Sequence, residues 1–259
     1  MNSIKVKGIV IGKGIPKICV PIMAETADQV VQQAKILAPL TTGSHQVVDL
    51  VEWRADSFLG ILEQGRCREI LTLIRSQLPD IPLLFTFRTK GEGGMCETDT
   101  ERYLRVNCEA VESGLIDLVD VELFTGDNTV RQVIERAHSH GEYVVCSNHD
   151  FHATPSSEEL IWRLRRMEVL GADILKVATM PRCPQDVLTL LSVTAEMSAE
   201  LNRPLITMSM SQTGVISRLC GENFGSSVTF GALGTTSAPG QIDAIALKNI
   251  LQLLHSENK

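Results

Sequence analysis

Apolar and β-branched residues recur along the chain in eight short segments, separated by stretches with helical periodicity. Successive segments begin 24 to 35 residues apart, which is the length of one strand, one helix and two short loops. This spacing predicts eight repeated strand and helix units. The segments are KICVPIM from Lys17, VVDLVEWRAD from Val47, PLLFTFRT from Pro82, LIDLVDVELF from Leu115, YVVCSNHD from Tyr143, DILKVATM from Asp173, PLITMSM from Pro204 and VTFGALG from Val228.

Two helices are clearly marked between and after these segments. The first is predicted over residues 156–170, where Ser156 and Glu159 form a capping-box pair and Gly171 supplies the stop. An amphipathic stretch over about 241–254 closes the chain and predicts a final helix.

Eight such units without a low-complexity linker predict an α/β protein, a single (β/α)8 TIM barrel spanning residues 1–259. A doubly wound open sheet is the alternative. It is disfavoured because no G-x-G-x-x-G turn follows the first strand, and GKGIPK at Gly12 precedes that strand instead. Residues 1–16 alternate like a β-hairpin, which we expect to close the bottom of the barrel.

Composition narrows the class of protein. The 259 residues carry a net charge of -7, which disfavours a nucleic-acid-binding surface. No apolar run reaches the roughly 18 residues of a membrane span, and the N-terminus lacks a signal peptide pattern. The seven cysteines include no C-x-x-C pair, and the histidines outside the strands lack ligand spacing. We therefore expect a cytoplasmic protein with reduced thiols and without a metal site.

Charged residues interrupt strands that ought to be almost wholly apolar in a parallel barrel. Glu52, Arg54 and Asp56 share one face of the second strand by the period-two rule. Thr86 and Arg88 share one face of the third strand in the same way. These residues lie toward the carboxyl ends of the strands, where barrel enzymes build their active sites, so the sequence predicts a polar site at that rim.

Lys176 lies in the middle of the sixth segment. A buried ammonium group must reach solvent, pair with a carboxylate such as Glu122, or lose its proton. Pairing would make the lysine purely structural, whereas a desolvated, partly neutral amine attacks carbonyl groups and forms a Schiff base. His149 ends the preceding strand, and neighbouring strands would bring both side chains to one rim, which favours the catalytic interpretation.

Three arginines suggest the charge of the ligand. Arg54, Arg88 and Arg218 lie on strands or in the loop after strand seven, and their alternative role is ordinary ion pairing. On inward faces of an acidic protein they favour an anionic, oxygen-rich substrate. Met208 and Met210 share a face of strand seven, where they either fill the core or form an apolar wall beside the amine.

Together these segments resemble the type I 3-dehydroquinate dehydratases, and the likeness runs from the first strand to the last helix. A series of motifs in one order is more specific than any single motif. The motifs are EWRAD (52–56), TFRTKGEGG (86–94), SNHDF (147–151), LKVATM (175–180), TMSMSQTGVISR (207–218), TFGALG (229–234) and SAPGQ (237–241).

The resemblance implies a cytoplasmic, homodimeric TIM barrel of the shikimate pathway that converts 3-dehydroquinate into 3-dehydroshikimate and water without a metal or cofactor. It implies that Lys176 forms an imine with the substrate ketone. His149 would remove the C2 proton and later protonate the departing C1 hydroxyl, and Glu92 would orient His149.

The resemblance also implies substrate-binding residues. The substrate carboxylate and adjacent oxygens would be held by Arg218, Ser237 and Gln241. The ring hydroxyls would meet Glu52, Arg54 and Arg88, with Met208 and Met210 beside them. Pro21 stands where some members carry a serine, so a polar contact from the first strand is not expected.

Two alternatives come from other classes. A class I barrel aldolase also uses a lysine on strand six, and the Gly-rich loop near Gly234 is compatible with phosphate binding. The sequence lacks a second catalytic lysine on a nearby strand, which disfavours an aldolase. A catalytically silent barrel that only binds a ligand is the other alternative.

Overall fold

Strands and helices alternate through the residues that the computed structural model describes, which are 3–43, 46–234 and 239–258. The strands are β1 (Ile4–Val6), β2 (Ile9–Ile11), β3 (Lys17–Ile22), β4 (Leu50–Arg54), β5 (Leu83–Thr86), β6 (Leu118–Glu122), β7 (Tyr143–Asp150), β8 (Ile174–Thr179), β9 (Leu205–Ser209), β10 (Val228–Ala232) and β11 (Ile242–Asp243). The helices are α1 (Ala27–Leu37), α2 (Arg66–Gln77), α3 (Thr100–Glu112), α4 (Asp127–Ser139), α5 (Ser157–Leu170), α6 (Pro184–Glu200), α7 (Ile216–Leu219), α8 (Gly221–Phe224) and α9 (Ala244–Glu257).

Strands β3 to β10 form a parallel barrel in chain order. Each strand pairs with the next from β3 to β9, and β10 pairs with β3. The remaining seam closes where Ser227 N donates to Leu205 O at 2.7 Å, just before β10. Each of the eight predicted segments contains one of these strands, so the predicted TIM barrel is confirmed.

Side chains of each barrel strand alternate between two apolar layers. Outward residues such as Trp53 and Phe85 pack under the helices, and their rings meet edge-on at 5.6 Å. Inward residues such as Leu84 and Met208 fill the barrel centre. This period of two lets one strand bury a hydrophobic face against the helices while its other face carries the polar residues of the rim.

The N-terminal hairpin closes the amino end of the barrel, as predicted. Strands β1 and β2 pair antiparallel, with Ile4 opposite Ile11. Both residues pack in the inner apolar cluster with Leu50 and Leu118, the first residues of β4 and β6. In the part of the chain that the structure describes, the barrel therefore opens at its carboxyl end, where the polar residues lie.

Helix α5 begins and ends where the sequence predicted, but only half of the predicted capping box forms. The Ser156 hydroxyl accepts a hydrogen bond from Glu159 N at 3.4 Å, and Gly171 ends the helix with φ 101°. The Glu159 carboxylate does not return to the cap. It accepts a hydrogen bond from Arg163 Nε at 2.8 Å, because the residue four positions later offers a cation.

The last helix starts three residues later than predicted. Ile242 and Asp243 form the short strand β11 beside β10, and α9 begins only at Ala244. The Asp243 carboxylate caps the helix by accepting hydrogen bonds from two backbone amides. None of the described helices combines the length and the apolar character needed to cross a lipid bilayer.

Glu142 is a buried carboxyl just before β7. It is 7% exposed, and its Oε2 atom has no hydrogen-bond partner among the described residues. Burial raises the pKa of Glu142 to about 8, and the nearby Asp117 carboxylate acts in the same direction. The folded protein therefore favours the protonated, neutral form of Glu142.

We expect Glu142→Gln to stabilise the protein at alkaline pH. The native pKa is raised, so the stability linked to the neutral acid is present below about pH 4.5 and is lost as pH rises through about 8. The variant should gain on the order of 1 kcal/mol at pH 9, about 2–4 °C in Tm, and little at pH 5. Thermal unfolding followed by circular dichroism measures this, with the exposed Glu135→Gln as the control. Equal gains at both pH values would contradict the assignment.

Candidate active site

One cavity at the carboxyl end of the barrel brings most of the predicted residues together. Ser237 lies outside the described residues, and every other predicted site residue lines this cavity. They are Glu52, Arg54, Arg88, Glu92, His149, Lys176, Met208, Met210, Arg218 and Gln241. Phe151 and Phe230 complete its apolar wall.

Lys176 is buried at the floor of this cavity, with only 3% of its surface exposed. Its Nζ atom donates to Asp120 Oδ2 at 3.2 Å and lies 3.8 Å from Glu52 Oε1. The same atom lies 4.8 Å from the centre of the Phe230 ring. The amine thus combines an ion pair below with an aromatic wall at its side, and its carboxylate partners are Asp120 and Glu52 instead of the expected Glu122.

Asp120 fixes the position of this amine. It is fully buried on β6 and also accepts hydrogen bonds from Arg88 Nη2 at 2.9 Å and Ser147 Oγ at 2.6 Å. Burial by itself would raise the pKa of Asp120, but the positive charges of Arg88 and Lys176 outweigh it and the pKa lies below its usual value. Asp120 is therefore a permanent negative charge under the lysine.

Arg88 joins the acidic groups of β6 and of the loop after β5. Its Nη1 atom donates to Glu122 Oε1 at 3.0 Å and to Ser147 Oγ at 2.9 Å, and lies 3.6 Å from Glu92 Oε2. Burial alone would lower the pKa of Arg88, yet the carboxylates of Asp120, Glu122 and Glu92 raise it well above its usual value. Its positive charge is thus balanced by carboxylates of the protein itself.

The charge of Arg54 is balanced in the same way. It donates to both oxygens of Asp56, from Nε at 2.8 Å and from Nη2 at 2.9 Å. Asp56 in turn accepts the backbone amides of Arg88 and Met95. Arg54 and Arg88, which were expected to favour an anionic substrate, therefore pair with protein carboxylates, although both arginines still line the cavity.

Arg218 differs from these two arginines because no described carboxylate pairs with it. Its Nη2 atom donates to Pro239 O at 3.1 Å and its Nη1 atom contacts Met208 Sδ at 3.6 Å. Its Nε atom is buried without a hydrogen-bond partner among the described residues. Burial lowers the pKa of Arg218 to about 10, so the guanidinium keeps its charge at neutral pH and offers it to an anion.

His149 and Glu92 form a hydrogen-bonded pair beside Lys176. Glu92 Oε2 accepts a bond from His149 N at 2.8 Å and lies 3.0 Å from His149 Nδ1. Burial lowers the pKa of His149 well below its usual value, and the cations Arg88, Lys176 and Arg54 add to this effect. A neutral imidazole whose Nδ1–H points at Glu92 leaves Nε2 able to accept a proton.

Glu92 reaches His149 from a tight loop after β5. Gly93 has φ 83°, and a Cβ there would lie 2.4 Å from the Phe151 ring. A Cβ on Gly94 would lie 1.9 Å from Arg88 O. The last two glycines of the T-K-G-E-G-G motif thus let the loop fold back over the end of β5 and point Glu92 toward the histidine.

The apolar wall and the first strand complete the site. Met208 and Met210 pack in the inner core cluster and also line the cavity, so both expected roles are met. Pro21 lies in β3 opposite Glu52 in the strand register and brings no hydroxyl or N–H group. No group of three or more His, Cys, Asp or Glu side chains within 3–43, 46–234 and 239–258 is arranged to hold a metal ion.

Asp120 and Ser147 are the polar floor residues that sequence reasoning missed. In LVDVE, Asp120 and Glu122 alternate with valines, and Ser147 stands two residues before His149. The same period-two rule that singled out Arg54 and Arg88 assigns them to the inward face. The signal was therefore available in the sequence.

A buried lysine, a neutral histidine and an arginine without a described carboxylate partner lie together at the open end of a TIM barrel. This arrangement, which places an amine, a proton acceptor and a cation in one cavity, is typical of a barrel enzyme.

Comparison with known proteins identifies the family. The family profile described as type I 3-dehydroquinase matches residues 18–258. The 3-dehydroquinate dehydratase of Salmonella agona is 47% identical over 98% of this chain and 99% of that protein. A crystal structure of the type I enzyme of Clostridium difficile superposes with a TM-score of 0.93 at 47% identity, over 99% of this chain and 100% of that one.

The 3-dehydroquinate dehydratase of Geobacillus kaustophilus gives a TM-score of 0.94 at 39% identity, over 100% of this chain and 98% of that one. The chain belongs to the type I 3-dehydroquinase family, and its activity is that of a type I 3-dehydroquinate dehydratase.

The activity should depend on pH through Glu92. Burial raises the pKa of Glu92 to about 8, and the neighbouring Glu122 adds to this, so the carboxyl takes up a proton as pH falls below that value. The ionised carboxylate carries a full negative charge, so it accepts the Nδ1–H more strongly than the protonated carboxyl does and better directs Nε2 outward. We therefore expect kcat/KM to rise with pH along an acid limb near pH 8.

Measuring kcat/KM from pH 5 to 10 tests this. Glu92→Gln should lose the limb and slow the reaction about 10- to 100-fold. Glu97→Gln, in the same loop and exposed, is the control and should behave like the native enzyme. A Glu92→Gln profile that keeps the native acid limb would show that another group controls it.

Proposed function

We propose that the site dehydrates 3-dehydroquinate to 3-dehydroshikimate through a Schiff base on Lys176, as a step of the shikimate pathway of aromatic amino acid biosynthesis. The observation that carries the proposal is that Lys176, His149 and Arg218 face one cavity. Lys176 is the one lysine among the described residues that line it. A ketone, an acidic C–H bond and a carboxylate on one small ring match these three groups.

The first step is attack of the Lys176 amine on the ketone carbon. Two of the three protons of its ammonium group pass to the former ketone oxygen, which leaves as water, and an iminium group remains. Its positive charge stands beside Asp120, at the place where Nζ now donates to that carboxylate. Asp120 stays ionised because its pKa is held low, so it stabilises the cation without taking its proton.

The second step is proton transfer by His149. Its Nε2 atom takes the C2 proton, and the electron pair moves into the iminium group to give an enamine. The enamine expels the C1 hydroxyl, which receives the proton from His149 and leaves as water. A third water then hydrolyses the product iminium and frees Lys176.

Arg218 holds the substrate carboxylate during these steps, with Ser237 and Gln241 on the adjacent oxygens. Arg218 is suited to this because its charge is not matched by any described carboxylate. Fixing one end of the ring places the C2 proton near the imidazole. The ring hydroxyls meet Glu52, Arg54 and Arg88 on the opposite side.

Similarity to a relative supports covalent chemistry. The Clostridium difficile type I enzyme was crystallised with covalently modified comenic acid. An aldolase and a silent binding barrel are disfavoured by the family assignment. The chain acts as one catalytic domain, and a homodimer and a cytoplasmic location remain expectations from the resemblance.

Borohydride trapping tests the Schiff base. Reducing the protein in the presence of 3-dehydroquinate should add the mass of one reduced ligand, and peptide mass spectrometry should locate it at Lys176. Lys176→Met should show no added mass, and the exposed Lys90→Met is its control. An active wild-type enzyme with unchanged mass would contradict the imine.

His149→Ala should still form the trapped adduct while dehydration slows by about 10²- to 10⁴-fold, because the general acid and base is lost. The appearance of the conjugated enone carboxylate in the ultraviolet measures turnover. Near-normal turnover in this variant would show that another group moves the proton.

Arg218→Met should raise KM at least tenfold, since a charge-assisted contact to the carboxylate is lost. Arg182→Met, an exposed arginine outside the cavity, is the control. Steady-state kinetics separates KM from kcat, and an unchanged KM would place the carboxylate elsewhere.

A further inference from the structure

Asn148 connects the active-site carboxyl to the outer surface of the barrel. Its side chain is 4% exposed and lies between Glu92 and helix α5. Its Nδ2 atom donates to Glu92 Oε1 at 3.0 Å, while its Oδ1 atom accepts from Arg163 Nη1 at 2.6 Å. The amide is thus bound on both sides, to the active-site loop and to a helix.

Arg163 determines which way this amide points. An asparagine amide can be turned so that either its oxygen or its nitrogen faces a neighbour. A guanidinium only donates hydrogen bonds, so it binds the amide oxygen and leaves the NH₂ group facing Glu92. Arg163 thereby ensures that the second oxygen of Glu92 meets a hydrogen-bond donor.

Arg163 is itself held rigidly. Its Nε atom donates to Glu159 Oε1 at 2.8 Å, and its Nη1 atom lies 3.7 Å from Asp150 Oδ2. The guanidinium lies over the Phe124 ring, 5.2 Å from its centre, and Phe124 stacks on Trp162. The half-formed capping box of α5 is part of this arrangement, because Glu159 binds Arg163 and not the cap.

The strand register explains why Glu92 needs this support. The last pair of β6 and β7 joins Glu122 to Ser147, so residues 148–150 extend beyond β6. Glu92 takes the place of the missing strand by accepting from His149 N. Any movement of this carboxylate therefore moves the imidazole that it also contacts.

From these contacts we infer that Arg163 and Asn148 are positioning residues for the proposed dehydration, acting through Glu92 to keep it an acceptor for His149. The inference rests on the proposed acid and base role of His149. Neither residue touches the substrate: Asn148 and Arg163 do not line the catalytic cavity.

The charges around Glu92 and His149 determine the direction of the expected pH effect. Glu92 faces Arg88 and Glu122 besides Asn148 and His149, and His149 faces the cations Arg88, Lys176 and Arg54. Burial and the Glu122 carboxylate raise the pKa of Glu92, whereas the hydrogen bond from Asn148 lowers it. Removing that donor should therefore raise the pKa of Glu92, so that the carboxyl ionises at higher pH.

The test is the pH profile of Arg163→Met. We expect kcat to fall about tenfold or more and the acid limb of kcat/KM to move up by about one pH unit, with KM little changed. Asn148→Ala should produce the same shift, and Arg163→Lys should restore part of it. Borohydride trapping at Lys176 should persist in all of these variants.

Arg165→Met is the matched control, because Arg165 lies on the same helix and binds both oxygens of Glu200 at the surface, 2.8 Å from each. Its profile should equal that of the wild type. If Arg163→Met and Asn148→Ala both keep the wild-type acid limb, the inference is wrong while the dehydratase mechanism stands. If the wild-type enzyme forms no adduct at Lys176, the proposed function itself fails. Should Arg163→Met not fold, the Asn148→Ala and Arg163→Lys profiles decide in the same way.

Discussion

The buried guanidinium of Arg88 is balanced by a cluster of buried carboxylates, and the rest of this site depends on that ion-pair network. Arg88 meets Asp120, Glu122 and Glu92 from β6 and from its own loop. Two of these carboxylates have further duties, since Asp120 holds Lys176 and Glu92 holds His149. Losing the guanidinium would remove the cation that these three buried carboxylates share and would leave Asp120 with Lys176 alone, so the positions of both reactive side chains depend on it.

The period of two along the strands made most of this predictable. It assigned Glu52, Arg54 and Arg88 to the rim, and the cavity contains them all. The same rule covers Asp120, which was overlooked because its segment reads as a well-formed apolar strand. Ion-pair partners were harder to predict. The spacing along one strand does not give the register between strands, so it does not show which carboxylate on a neighbouring strand lies at the same level along the barrel axis.

Contacts between separate elements could not be predicted from the sequence, for a physical reason. Asn148 belongs by alternation to the outward face, where a core or helix contact is expected, yet the loop carrying Glu92 folds over the strand end to meet it. Arg163 appeared only as one polar residue of an amphipathic helix. Its hydrogen bond to Asn148 depends on how α5 packs beside β7, which no local pattern records.

The hairpin at the amino end gives the barrel a single mouth. Ile4, Val6 and Ile11 seal the other end, so all traffic to Lys176 passes the same opening. In the proposed chemistry one water leaves when the imine forms, and a second leaves when the C1 hydroxyl is protonated and expelled. A third water must enter to release the product. The product is still attached to Lys176 when the hydrolysing water enters, so this water has to pass the product in the same opening. Movement of water past the bound product is therefore part of every turnover.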